Sequence, residues 1–202
     1  MRIIAGKFKG HPLVSPPGGE TVTRPITDRA KQSLFDALQD CFAVGGEYDG
    51  GGTVLDCFAG TGSMGLECLS RGARRAVFVE RDRGAVRALQ ENIAALGVAD
   101  QAVVLAMDAY ALAAWPSELA EHPPLTVAFV DPPYSHMETG HLRHKIDDLL
   151  RNLAGHCMVD GGIISLRHPA GVSVDPGALG ARVVRELKYG DMAITWLTKT
   201  QV

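Results

Sequence analysis

From residue 53 onward, short apolar runs alternate with longer amphipathic segments, and a glycine or a capping side chain marks nearly every junction. Apolar runs of this length between turn residues predict strands at 53–57, 75–80, 102–106, 125–130 and 162–167. The stretches between them predict helices over 63–71, 83–96 and about 139–154. Gly72 and Gly97 stand where helix C-caps belong, and Asp82 stands at an N-cap. Parallel strands need crossover connections, so repeated strand–helix units imply a mostly parallel α/β sheet with helices on both faces. Two further runs, 181–189 and 191–198, meet around Tyr189-Gly190. So tight a turn joins antiparallel strands, so the last of the seven strands is expected to be antiparallel. At 202 residues and 46% hydrophobic, the chain fits one such domain with a small appendage. No apolar run approaches the roughly 20 residues of a membrane span.

The appendage precedes the sheet. Residues 2–5 and 8–14 alternate enough for a short hairpin, and Pro16-Pro17-Gly18-Gly19 breaks the chain after it. A helix is predicted from Thr27 or Asp28, either of which can cap it, to about Phe42. Glycines at 45–46 and 50–52 then separate this section from the rest. The expected division is a basic hairpin-and-helix extension over 1–45 and a main domain over 46–202. Residues 1–31 carry six basic side chains (Arg2, Lys7, Lys9, Arg24, Arg29, Lys31) against Glu20 and Asp28. That is a local +4 on a chain of net −3, leaving −7 on the body. A basic arm on an acidic body suggests that the arm meets a polyanion. The four cysteines (Cys41, Cys57, Cys68, Cys157) form no CxxC pair and read as buried thiols of a reducing cytoplasm. The opening MRIIAGKFKG lacks the apolar core of a signal peptide, which also predicts a cytoplasmic protein. His136, His141 and His144 cluster without an evident ligating partner, so no metal is expected.

Asp56-Cys57-Phe58-Ala59-Gly60-Thr61-Gly62-Ser63-Met64-Gly65 spans the first strand-to-helix junction. Glycines there let the backbone turn sharply and approach a ligand. Gly60, Gly62 and Gly65 satisfy GxGxxG, and Glu80 follows at the end of the next strand, where an acid grips a ribose diol. Together they indicate an adenosine-containing cofactor without choosing NAD or S-adenosyl-L-methionine. Asp56 favours the second: an acid before the glycines repels a pyrophosphate but suits a cofactor bearing an ammonium and a sulfonium. Asp108, just past the third strand, can accept from the adenine amino group.

Asp131-Pro132-Pro133-Tyr134 closes the fourth strand, beside the point where strand order should reverse and ligands collect. The prolines fix φ and donate no N–H, so their carbonyls can face a ligand. This hook offers two acceptors and a flat ring, which suits the planar amine of a base or a side-chain amide. Asp and Pro also make ordinary strand-ending turns.

With these motifs the chain resembles class I S-adenosylmethionine methyltransferases, and more narrowly the bacterial 16S ribosomal RNA guanine-N2 methyltransferase family. The likeness runs from Arg2-Ile3-Ile4-Ala5-Gly6 and Lys9-Gly10 through Arg24-Pro25-Ile26-Thr27-Asp28-Arg29 and Ser33-Leu34-Phe35. It continues over Asp56–Gly65, Leu69-Ser70-Arg71-Gly72-Ala73, Phe78-Val79-Glu80, Asp131–Tyr134 and Tyr189-Gly190-Asp191. The Arg-Pro-x-Thr-Asp-Arg segment is its specific part, since the hook is shared with DNA adenine and protein glutamine methyltransferases. Ile26 stands where Thr is usual, and the body is acidic. The resemblance implies a Rossmann-like seven-stranded sheet and methyl transfer to a guanine N2 amine. It implies a cofactor site at Asp56, Phe58, Ala59, Gly60, Thr61, Gly62, Glu80, Arg81, Asp108, Ala109 and Asp131. Asp131, Pro132, Pro133 and Tyr134 would hold the target amine, and Arg24, Thr27, Asp28 and Arg29 would border the substrate. The implied partner is 16S ribosomal RNA or a small-subunit assembly intermediate, met by a monomer away from any membrane. The competing readings are a DNA adenine-N6 or protein glutamine methyltransferase, an NAD-dependent oxidoreductase, and a non-catalytic RNA-binding protein with the same fold.

Overall fold

The computed structural model describes residues 1–16, 26–38, 51–112, 124–137 and 140–200. Its centre is a seven-stranded sheet: β1 (Thr53–Cys57), β2 (Arg75–Val79), β3 (Ala102–Leu105), β4 (Leu125–Val130), β5 (Met158–Pro169), β6 (Ala181–Tyr189) and β7 (Met192–Lys199). The strand order is β3-β2-β1-β4-β5-β7-β6. The first five are parallel, and β7 lies antiparallel between β5 and β6. The order reverses between β1 and β4, so their carboxyl ends open the crevice in which such sheets collect ligands.

Alternation along the strands divides the core in two. Val54, Phe78, Val127 and Phe129 join one buried cluster with α1 (Asp28–Ala37), α2 (Ser63–Ser70) and α3 (Arg83–Leu96). Leu55, Val77, Ala128 and Val130 join another with α5 (His141–Asn152) on the opposite face. The expected helices on both faces are present. The helix predicted over 139–154 begins at His141 and ends in a π turn over Leu153–Cys157; Thr139 lies outside the described residues. A four-residue helix, α4 (Tyr134–Met137), follows the hook. Pro133 starts it: the same fixed φ that ends a strand suits a first helical turn, and its carbonyl accepts from His136 N at 2.8 Å.

The expected hairpin at the N-terminus is present in short form: Arg2 and Pro12 form an antiparallel bridge, and Ile3 N donates to His11 O at 3.0 Å, Gly10 N to Ile3 O at 2.8 Å and Leu13 N to Met1 O at 2.9 Å. Other donors of the arm turn to the main body. Ile4 N and Ala5 N donate to the Glu67 carboxylate at 2.9 and 3.0 Å, and Phe8 N donates to Ser70 Oγ at 2.9 Å. Glu67 also pairs with Lys31 (3.1 Å) and Arg71 (2.9 Å). Glu67 and Lys31 are buried, which only a paired and hydrogen-bonded charge tolerates. Lys31 therefore does not belong to an outward-facing basic arm: it is a clamp between α1 and α2. Ile3, Leu13, Leu34 and Phe35 share the core cluster of the sheet. Among the described residues no helix is long and apolar enough to cross a membrane.

Candidate active site

The loop after β1 divides its labour among three glycines. Gly62 is left-handed (φ 80°), and a Cβ there would lie 2.3 Å from Leu89 Cδ1. A Cβ on Gly65 would lie 2.3 Å from the Phe78 ring. Both positions are closed by packing of α2 onto the sheet. Gly60 is also left-handed (φ 56°), but a Cβ on it would meet nothing within 4 Å. The space before Gly60 is open, as a cradle for a ligand must be. Phe58 holds φ at 61° without being glycine, a conformation that costs roughly 1–2 kcal/mol. Strain of this kind collects at functional loops.

Asp56 does not reach the open side of the loop. It is buried in β1, and its Oδ2 accepts from Gly65 N at 2.9 Å. Burial, opposed by that N–H and reinforced by Asp131 and Glu80, pushes its carboxyl up to about 7. Thr61 is buried and Ala59 N donates to Val79 O, so these two shape the loop through their backbone. Glu80 braces the same loop: Oε2 accepts from Gly60 N at 2.9 Å, and Oε1 from Arg81 N and Asp82 N at 2.8 Å each. A carboxylate has about four acceptor sites, so these three bonds fill Oε1 and leave one site on Oε2 for a ribose hydroxyl. Arg81 bridges to Asp108 at 3.4 Å on the exposed rim, and Ala109 is buried behind it.

One aromatic residue absent from the sequence reading, Tyr110, completes this side. Tyr110 meets Phe58 edge-on at 5.4 Å between centroids, and its hydroxyl lies 2.7 Å from His136 Nδ1. Burial raises the Tyr110 phenol to about 12 and lowers the His136 imidazole, so both are neutral at pH 7. The bond links the loop after β3 to α4. Among the described residues no three His, Cys, Asp or Glu side chains are grouped to hold a metal.

On the other side of the reversal, Asp131 follows the last residue of β4. Arg167 Nη1 donates to its Oδ2 at 2.7 Å, while Oδ1 is buried with no hydrogen-bond partner among the described residues. Burial raises the Asp131 carboxyl despite the opposing Arg167 charge. Asp131 lines a cavity of about 280 Å³, counting the solvent at its mouth, together with Ile26, Leu34, Met64, Phe129, Val130, Ser165, Arg167 and Ile194. Pro132 is buried, and the Tyr134 ring is half-buried with the Arg167 guanidinium 5.6 Å from its centroid. Ile26 brings the segment before α1 to this cavity. Thr27 caps α1 by accepting from Ala30 N, Asp28 pairs with Arg2 at 3.0 Å, and Arg29 is exposed. Arg24 lies outside the described residues.

Sequence reasoning misses Arg167, although a signal is present. It is a charged residue ending the apolar run Ile163-Ile164-Ser165-Leu166. Val130 pairs with Leu166, so register sets Arg167 beside Asp131.

A family model described as "Conserved hypothetical protein 95" matches residues 1–198. YlbH of Bacillus subtilis (strain 168), which bears a provisional rRNA methyltransferase name, is 33% identical over 191 residues, 94% of each chain. "Ribosomal RNA small subunit methyltransferase D" of Escherichia coli (strain K12) is 36% identical over 136 residues, covering 66% of this chain and 60% of that one. Among solved structures, yhhF of Escherichia coli, provisionally described as a methyltransferase, superposes with a TM-score of 0.75 at 31% identity, over 100% of this chain and 99% of its own. A hypothetical protein of Thermus thermophilus does so with a TM-score of 0.73 at 32% identity, over 99% of both chains. On these matches the chain belongs to the Conserved hypothetical protein 95 family of small-subunit ribosomal RNA methyltransferases, on a class I methyltransferase fold.

Proposed function

We propose that this protein transfers a methyl group from S-adenosyl-L-methionine to the exocyclic N2 amine of one guanine in 16S ribosomal RNA. The observation that carries the reading is the buried, unpaired Oδ1 of Asp131, a residue that lines a cavity beside the strand-order reversal. A buried acceptor without a partner costs free energy and persists where a ligand completes it. The family match supports ribosomal RNA as the substrate class, and the resemblance carried by the segment 24–29 supports the guanine N2 amine as the target.

The loop fits the cofactor. Open space before Gly60, the Glu80 carboxylate beneath it and the Asp108–Ala109 rim would receive its amino-acid, ribose and adenine parts in turn. When bound, that cofactor supplies an electrophilic methyl on a sulfonium. Asp131 Oδ1 and the Pro132 carbonyl each accept one N–H of the target amine, which turns the nitrogen lone pair away from both acceptors. Alignment of this kind supplies much of the acceleration in such a transfer. As the nitrogen becomes positive, the carboxylate and carbonyl stabilise it, because they are already in place in a site shielded from water. Tyr134 stacks on the base, worth roughly 1–3 kcal/mol. Extruding a paired base costs a few kcal/mol, so a guanine in a loop is the easier target. The protein would act as a monomer in the cytoplasm, on naked 16S RNA or an assembling subunit.

The test is transfer of labelled methyl from S-adenosylmethionine to unmethylated small subunits, naked 16S RNA, duplex DNA and release-factor protein in parallel. The expected product is N2-methylguanosine at one position, with Asp131→Ala retaining cofactor binding and losing most turnover. Label only in adenine of DNA or in protein glutamine would keep the chemistry and replace the substrate. Undiminished turnover by Asp131→Ala would remove the role given to the hook.

A further inference from the structure

We propose that Arg167 is the positioning residue of the hook: it seizes one oxygen of Asp131 and thereby leaves the other as the acceptor for the target amine. The inference rests on the role proposed for Asp131 and adds a residue that the hook motif does not contain.

A lone carboxylate at a strand end turns about its χ angles and presents either oxygen. Asp131 does not have that freedom. Oδ2 is taken by Arg167 Nη1 at 2.7 Å, and Oδ1 is the unpaired atom. Arg167 is itself held at three points. Nε donates to Met192 Sδ at 2.9 Å, the guanidinium stands 5.6 Å from the Tyr134 centroid, and the β4–β5 register fixes its backbone. The Arg167 and Asp131 side chains are 8% and 28% exposed, and both line the cavity. One planar cation thus sets both the carboxylate and the aromatic ring of the hook. A guanidinium can do this because its donors lie in a rigid fork, whereas an ammonium is a point charge.

The pair also sets when the hook works. The charged and titratable groups facing Asp131 are Arg167 from β5, Asp56 from β1 and Tyr134 of the hook itself. Arg167 is the cation among them. Burial favours protonation of Asp131, and Arg167 opposes it. Removing Arg167 raises the Asp131 carboxyl further. The ionised, accepting form is then reached only at higher pH.

The test compares Arg167→Met and Arg167→Lys with the unsubstituted enzyme and with Asp131→Ala, using labelled methyl transfer to unmethylated small subunits. Cofactor affinity, melting temperature and the pH profile of kcat/KM are measured for each. Arg167→Met is expected to lose on the order of 10²-fold in kcat, as a misaligned reacting group does. Its cofactor affinity should stay within about twofold and its acid limb should move to higher pH. Arg167→Lys keeps the charge but not the fork, so it should restore the acid limb while recovering only part of kcat. It also serves if the Met variant does not fold. Full turnover with an unmoved acid limb in Arg167→Met overturns the proposal, as does an Arg167→Lys variant whose acid limb moves. Full turnover by Asp131→Ala instead overturns the reading of the hook, a separate failure.

Discussion

At the scale of single residues, the glycine loop shows how one motif hides two unlike duties. Sequence marks Gly60 and Gly62 alike, yet only Gly62 has its missing Cβ filled by a neighbour, Leu89. Gly62→Ala therefore meets both left-handed strain and a close contact, and should lower stability by about 2–4 kcal/mol, read from denaturant unfolding. Gly60→Ala carries the strain alone, about 1–2 kcal/mol. Its methyl would enter the open space, so S-adenosylmethionine affinity by calorimetry should fall at least tenfold. A normal affinity in Gly60→Ala would show that this space is not the cofactor's. The positions of Glu80, Asp108 and Asp131 at strand ends are legible because a carboxylate after an apolar run is visible locally. Asp56 is legible as an acid but not as a buried one. Its partner, Gly65 N, becomes available only once the loop has folded back over the strand. Arg167 escapes because its meaning comes from register with β4, a relation between distant segments.

At the scale of elements, the best-read boundaries are those whose stops are local. Helix α3 runs from Arg83 to Leu96 as expected, because Asp82 accepts from Ala85 N and Gly97 turns left-handed at φ 64°. Strands β1 and β4 likewise hold their expected ends. The arm before α1 is legible as a hairpin because Ile3, Gly10 and Leu13 donate across it, but its docking is not, because the partners of Ile4, Ala5 and Phe8 lie more than 60 residues away, on Glu67 and Ser70. Breaking that clamp should free the arm and α1 before the sheet. Glu67→Gln leaves the buried Lys31 without its counter-charge, a change that costs about 3–5 kcal/mol. Hydrogen exchange should then accelerate at Ile4, Ala5 and α1 while β1 and β4 stay protected. Equal acceleration in all of them would show that arm and sheet open as one unit.

At the scale of the whole molecule, the mostly parallel sheet with its inserted antiparallel β7 is legible from the order of apolar runs and the Tyr189-Gly190 turn. How the +4 arm and −7 body meet RNA is less so, because burial removes Lys31 from the outward charge and Arg2 is engaged with Asp28. Exposed Arg29 remains a candidate for phosphate contact. Arg29→Ala should flatten the slope of log affinity against log salt by about one, whereas Lys31→Met should leave the slope unchanged. An unchanged slope in Arg29→Ala would remove that contact. The Glu67 clamp also imposes an order on how the molecule comes into being. Ile4 and Ala5 are synthesised 63 and 62 residues before the carboxylate that receives them. At roughly 5–20 residues per second, that interval is about 3–13 seconds. The arm of each newly made chain must therefore wait, undocked, until α2 has left the ribosome.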